Sequence, residues 1–392
     1  MLKNQILSES LSQSIVNIEE KSRSNLFTWR GQFSPQLIEA LLIAYAKDGD
    51  RVFDPFLGSG TVLYEAGLLG LSASGCEINP AAVSFAKVYE LIGEPVKKRS
   101  KSLAQIEEFV KKYTTDLPLQ PAREILNFES DLLAYYENCK DKTTKIILNA
   151  FVVGLDFESK KTDLKRILGV WGVLRSNIES FSSTKTKLQC FEADARKSPL
   201  ETDSVDFVIT SPPYINVFNY HQNYRKSVEM LGVDVLEVAK SEIGSNRKFR
   251  GNRFLTVVQY CMDMSQVFEE LKRVCTLDAK VIFIVGRESN VRKTPFYNSD
   301  LLVKVAQACG LKLEGKQPRV FGNKFGVAIY EDILRFSIES KELNTAATDA
   351  ARAIGIKGLK AALKIASDDV IAELEDAVQK AKQIQPSPFL GE

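Results

Sequence analysis

The sequence comprises 392 residues, 44% of them hydrophobic and 26% charged, with a net charge of +2. This is an ordinary globular composition, with room for two or three domains or one large domain carrying insertions, and it excludes a global field that would attract a polyanion. A single histidine, His221, and six cysteines with no CxxC pair nearly exclude the usual zinc sets and histidine-based triads, and no apolar run approaches the ~20 residues of a membrane span.

In chain order, residues 1–22 are polar and of mixed charge without a signal-peptide core, and most cysteines stand in apolar contexts, as in a reduced cytoplasmic protein. "SPQLIEALLIAYAKDGD" has helical apolar spacing with Pro35 near its start. "RVFDPF" predicts a short strand, "GSGTVLYEAGLLG" opens a helix, "LSASGCEINP" is a strand and turn, and "AAVSFAKVYELIG" is a helix. Residues 96–187 break this rhythm with several helices and read as a helical insertion, since a structureless span of that length is improbable. The alternation resumes with "KLQCFEADA" and "SVDFVITSPPY", followed by a helix at about 254–275, the strand "AKVIFIVG", the helix "NSDLLVKVAQACG" and two final strands, "KLEGKQPRVF" and "GVAIYEDILRFSI". Residues 345–383 are Ala-rich and helical, and "QPSPFLGE" reads as a disordered tail. The pattern predicts an α/β, Rossmann-like, doubly wound sheet of about seven mostly parallel strands ending in an antiparallel hairpin. The corresponding division is 1–95 and 188–340 for the sheet domain, 96–187 for the insertion and 341–392 for a helical extension.

Three features sit at strand ends in this order. "DPFLGSGT" lies between a strand and a helix, where Gly58 and Gly60 permit a tight turn and the helix N-terminus offers free N–H groups. It lacks the lysine of a phosphate-cradling loop, and Leu63 breaks the dinucleotide GxGxxG spacing. Glu77 ends the second strand 23 residues after Asp54, where a carboxylate can accept both ribose hydroxyls of an adenosine, and Asp194 ends the next strand with reach to an adenine edge. Finally, Ser211-Pro212-Pro213-Tyr214 halts a buried strand with two donor-poor prolines. Singly, glycine turns and strand-end acids are commonplace; in one doubly wound order they point to an adenosyl ligand.

Together "DPFLGSGT", "EINP" and "TSPPY" resemble the amino-directed DNA methyltransferases that use S-adenosylmethionine, particularly the cytosine-N4 group, over about residues 30–95 and 188–340. "RGQFSPQLI" is similar to the family's segment that closes over the methionine end of the cofactor. The resemblance implies a cofactor site of Gln32, Phe33, Ser34, Asp54, Pro55, Phe56, Gly58, Ser59, Gly60, Thr61, Glu77, Ile78, Asn79, Asp194 and Ala195, with no metal. It implies Ser211, Pro212, Pro213 and Tyr214 as the catalytic loop. Ser211 in the loop's first place leans toward cytosine, as Asp there leans toward adenine. The implied partner is double-stranded DNA in a bacterial or archaeal cytoplasm, with a restriction endonuclease as a second partner of such systems.

The chemistry explains the loop. An exocyclic amino nitrogen is a poor nucleophile because its lone pair is delocalised into the ring. The Ser211 hydroxyl and the Pro212 carbonyl are acceptors for its two N–H groups and favour the pyramidal nitrogen of the transition state. Tyr214 offers a stacking surface for a base turned out of the duplex. Alternatives separate by absences: no cysteine follows a proline, as methylation at cytosine C5 needs, and the HxE and PCxxC pair of base deaminases is missing. N6-adenine methylation, an RNA or tRNA amino-methyltransferase and a non-catalytic DNA-binding protein on the same fold stay open. For DNA contacts, "GSNRKFRGNR" packs Arg247, Lys248, Arg250 and Arg253 into seven residues beside Asn246, and Tyr220 and Tyr224, just after the catalytic loop, are candidates to line the base pocket.

Overall fold

The structure, a computed structural model, describes residues 2–29, 31–114, 127–158, 162–215, 220–244, 249, 251–322 and 326–391. Strands β1 (Arg51–Asp54), β2 (Ser72–Glu77), β3 (Leu188–Glu192), β4 (Val205–Thr210) and β5 (Cys275–Gly286) run parallel. A separate ribbon, β6 (Ser289–Val291) and β7 (Thr294–Phe296), follows, and β8 (Leu311–Gly322) and β9 (Ala328–Ile338) complete the main sheet. Its order is β3-β2-β1-β4-β5-β9-β8, with β9 antiparallel to both neighbours. This is the doubly wound sheet with a terminal antiparallel hairpin expected from the alternation.

The central strands are apolar on both faces because helices cover both. Val52, Phe207, Ile209, Ile282 and Ile284 join one hydrophobic cluster, while their strand neighbours Phe53, Val208, Val281, Phe283 and Val285 join the other. The first cluster takes in α1 (Gln13–Asn17), α2 (Pro35–Tyr45), α3 (Thr61–Leu68), α4 (Pro80–Ala86) and, later in the chain, α9 (Arg225–Met230), and the helices α5 (Val96–Lys111), α6 (Phe128–Asn138), α7 (Lys142–Leu155) and α8 (Leu164–Glu179). These last four occupy the region read as a helical insertion. They interlock through Phe151, which sits 6.4 Å from Phe128 and 5.6 Å from Trp171 between ring centroids. Asp141 and Asp163 cap α7 and α8 by accepting from the amides of Thr144 and Arg166. The second cluster packs under α11 (Leu255–Val274), α12 (Asn298–Ala308), α13 (Ala347–Ala362) and α14 (Asp368–Lys380).

Two local findings depart from the sequence reading. The β6–β7 ribbon turns on Arg292 and Lys293, both left-handed at φ 51° and 65°, so the usual Asn-Gly hairpin signal is absent. The segment 385–391, expected to be disordered, is docked: Ser387 is 3% exposed and donates its N–H and hydroxyl to Asp263 at 2.7 and 2.6 Å. The reason is that Asp263 is itself fully buried and a buried carboxylate requires donors, which the polar, proline-stiffened segment supplies.

Helix packing sets a clean test. A Cβ at Gly355 of α13 would stand 2.8 Å from the Val258 Cα of α11, whereas one at Gly172, on the exposed side of α8, meets nothing within 4 Å. In urea unfolding, Gly355→Ala should destabilise by about 1–3 kcal/mol despite alanine's better helix propensity. Gly172→Ala should stabilise by roughly 0.5–1 kcal/mol.

Candidate active site

Strands β1 and β4 are neighbours whose connections leave toward opposite ends of the sheet, and the loops beyond their carboxyl ends open a cleft there. Thr210, the last residue of β4, donates its hydroxyl to Asp54 Oδ1 at 2.6 Å, and the Phe56 amide donates to the same oxygen at 3.0 Å. Asp54 is fully buried, its Oδ2 has no hydrogen-bond partner among the described residues, and burial lifts its carboxyl to about 7.

The glycine loop is held from three sides. Gly60 takes φ +93°, and a Cβ there would stand 2.7 Å from the Tyr89 ring, so only glycine fits both the turn and the packing. Glu77 accepts from the amides of Gly58 and Asn79 at 2.8 Å each, and burial lifts its carboxyl to about 7. From above, Gln32 donates its amide to Ser59 Oγ and to the Phe27 carbonyl, both at 2.6 Å. The segment around Gln32 is itself tied down: Asn25 donates to the Phe33 carbonyl at 2.7 Å and accepts from Thr61 at 2.9 Å. Arg23 forks onto the buried Glu65 of α3 with two 2.6 Å bonds.

The proline loop is equally fixed. Pro212 is buried, and the Tyr214 hydroxyl donates to Glu331 Oε1 at 3.0 Å, a carboxylate also paired with Arg319 at 2.8 Å. A Cβ at Gly286 would lie 2.9 Å from Tyr214 Cζ, so one side of the ring lies flush on β5. Burial, then the Glu331 charge, raise the phenol well above its ordinary range, while the Ser211 hydroxyl hydrogen-bonds the same side chain.

One cleft gathers the two loops. Gln32, Phe33, Pro55, Phe56, Gly58, Ser59, Thr61, Glu77, Ile78, Asn79, Asp194, Ala195, Ser211 and Pro213 line it. Ser34, Asp54, Gly60, Pro212 and Tyr214 stand outside that lining. Asp194 lines the cleft, but its carboxylate is held by Arg196 rather than left open to a ligand. Tyr220, expected at the base pocket, lines the cleft. Tyr224, expected with it at the base pocket, stacks on Trp29 at 6.2 Å and donates to the Thr28 carbonyl at 3.1 Å, packed between the N-terminal segment and α4. Of the basic loop, Arg253 is exposed, and Asn246, Arg247, Lys248 and Arg250 lie outside the described residues.

Several lining residues carried no sequence signal. Trp29 packs over Gly58, and Glu242 lines the cleft while holding the buried His221 through its backbone N–H and Nδ1, both at 2.8 Å. An isolated acid after the short helix α10 (Val235–Ser241) belongs to no motif; the lone buried histidine was the available hint.

Comparison with known proteins adds relatives. A family model described as "DNA methylase" matches residues 3–88. The chain is 22% identical over 413 residues to the Type II methyltransferase M.MjaII of Methanocaldococcus jannaschii, covering 73% of this chain and 77% of that one. It is 25% identical over 288 residues to the Type II methyltransferase M.AvaI of Nostoc sp., covering 60% of each. A tRNA (guanine(10)-N2)-dimethyltransferase of M. jannaschii is 33% identical over 98 residues, 23% of this chain and 28% of that one.

The buried carboxyl of Asp54 makes the stability of the fold depend on pH. Raised from 3.8 to about 7 by burial, it keeps its proton in the folded chain where the unfolded chain has lost it. Its contribution to stability is therefore present below about pH 4 and lost as pH rises toward 7. Relative to Asp54→Asn, the wild type should lose on the order of 1–4 kcal/mol of unfolding free energy between pH 4 and 8. Urea titrations at each pH measure this; a constant difference between the two proteins counts against it.

Proposed function

We propose that this chain, which belongs with the S-adenosylmethionine-dependent amino-directed DNA methyltransferases, moves a methyl group from that cofactor to the exocyclic amino group of a base in double-stranded DNA, with cytosine N4 favoured over adenine N6. The observation that carries the reading is the convergence of Ser211 and Pro213 with the glycine loop and Glu77 on one cleft at the switch point of the sheet. A glycine loop alone would suit many nucleotides, and a proline turn alone would suit none.

The residues present fit the cofactor. Asn79, which lines the cleft, has a buried Nδ2 without a hydrogen-bond partner among the described residues, an orphan donor that asks for a polar ligand. Glu77 and Glu242 line the cleft, which suits a cationic ligand. Glu77 would take the ribose hydroxyls, and Gln32, Phe33 and Ser34 the methionine end. S-adenosylmethionine, when bound, supplies an electrophilic methyl group on a sulfonium.

The chain's own residues then act on the acceptor. The Ser211 hydroxyl and Pro212 carbonyl accept from the amino group and draw electron density onto its nitrogen. The prolines and the Tyr214–Glu331 bond hold those acceptors still, so no reorganisation is needed as charge develops. The Tyr214 ring, fixed on Gly286, offers a surface to an extruded base. Arg253 and the basic loop before it supply phosphate contacts. A second reading, transfer to an amino group in RNA, is favoured by the tRNA guanine-N2 relative, but that similarity spans only 23% of the chain.

Methylation of a duplex DNA library with labelled cofactor, followed by nucleoside analysis, should yield N4-methylcytosine. N6-methyladenine would move the assignment to adenine, and labelling of tRNA in place of DNA would favour the second reading. In single-turnover transfer, Ser211→Ala should slow the chemical step on the order of 100-fold with cofactor affinity nearly intact.

Cofactor binding should also depend on pH. Burial holds the Glu77 carboxyl near 7, and a cationic ligand whose hydroxyls donate to it favours its ionised form. Binding should therefore release protons near neutrality, and affinity should rise from pH 6 to 8 and then level. Calorimetry in two buffers of different ionisation enthalpy reads the proton count directly. Glu77→Ala should weaken binding by about 1.5–3 kcal/mol and abolish the release.

A further inference from the structure

The Asp194 carboxylate has about four lone-pair sites, and four donors already fill them. Arg196 gives its backbone N–H and Nε to Oδ1, both at 2.9 Å, and its Nη2 to Oδ2 at 2.6 Å. The fourth donor is the amide of Leu390, at 3.3 Å from Oδ2. Arg196 is wholly buried, and a second carboxylate, Asp263, stands 3.4 Å from its Nη1. One buried guanidinium thus lies between two buried acids.

The segment 385–390 decides between them. Ser387 donates its N–H and hydroxyl to Asp263 at 2.7 and 2.6 Å, shorter bonds than the 3.4 Å one from Arg196 Nη1. The Ser387 and Pro388 carbonyls accept from Nη1 and Nη2 at 2.6 and 2.7 Å, and the Phe389 ring covers the guanidinium at 4.7 Å. Pinned on its outer side, Arg196 keeps its inner fork on Asp194.

We propose that residues 385–390 form a latch that sets the adenine end of the cleft: by satisfying Asp263 and pinning Arg196, the latch withholds the Asp194 carboxylate from the ligand. Ser387 and Arg196 are positioning residues in this scheme. When the latch is loosened, Asp263 loses donors and draws Arg196 toward itself, and Asp194 becomes a free acceptor facing the ligand. The inference rests on the proposed adenosyl-cofactor site.

The test compares two ligands in isothermal titration, S-adenosylhomocysteine and its inosine counterpart, in which a 6-oxo group replaces the 6-amino group. A free Asp194 carboxylate would accept from the amino group and repel the oxo group, so the preference for adenine reports its availability. In Ser387→Pro, which removes both Ser387 donors to Asp263, that preference should rise about tenfold over the wild type. Should that variant not fold, Ser387→Ala removes the hydroxyl alone and should move the ratio in the same direction. An unchanged ratio in a folded variant overturns the latch. Loss of affinity for both ligands in equal proportion, the mark of a merely structural contact, overturns it as well. If the wild type binds neither ligand, the proposed cofactor site is what fails.

Discussion

The hydrogen bond from Thr210 to Asp54 spans the two strands on which everything else hangs. It joins the last residue of β4 to the last residue of β1 at the place where the sheet's winding reverses, and it does so at 2.6 Å between fully buried side chains. A buried carboxyl in that position is costly unless it is hydrogen-bonded or protonated. Its geometry forces the two departing loops to start from a common origin. The glycine loop and the proline loop therefore share a cleft rather than merely a sheet edge.

Around that origin, the structure spends most of its polar contacts on immobility. Glu77 does not simply wait for a ligand; two backbone amides already orient it. Tyr214 is held by Glu331 at its hydroxyl and by the bare backbone of Gly286 under its ring. Gln32 stitches the N-terminal segment to Ser59. A site assembled this way has its acceptors aimed before anything binds, and preorganised acceptors are where most of a transfer enzyme's electrostatic advantage lies.

The two cores divide the labour of support. One face of the sheet carries α2–α8, with the aromatic chain Phe128–Phe151–Trp171. The other carries α11–α14, with α13 lying so close on α11 that Gly355 meets the Val258 backbone. The segment after α14 returns from that second core to Arg196 and Asp194, so a remote part of the chain touches the wall of the cleft.

The strand–helix alternation, the glycine turn and the strand-end acids were legible in the sequence because each is local: a period of apolar residues, a residue that alone tolerates φ +93°, an acid placed by a strand's end. The proline loop was legible for the same reason, since Pro-Pro constrains its own backbone wherever it occurs. What neighbours across space contribute was not legible. Tyr220 and Tyr224 follow the loop by only a few residues, yet one turns into the cleft and the other against Trp29, as packing rather than spacing dictates. Glu242 joins the cleft through His221, 21 residues away. The segment "QPSPFLGE" is polar and proline-rich, and read alone it has no apolar face to bury. Its order comes from Asp263 and Arg196, two buried charges more than a hundred residues earlier that need its amides and carbonyls. Local sequence determines which backbone can turn and which acid can stand at a strand's end; only the tertiary structure decides which buried charge is already satisfied and which is left for a ligand.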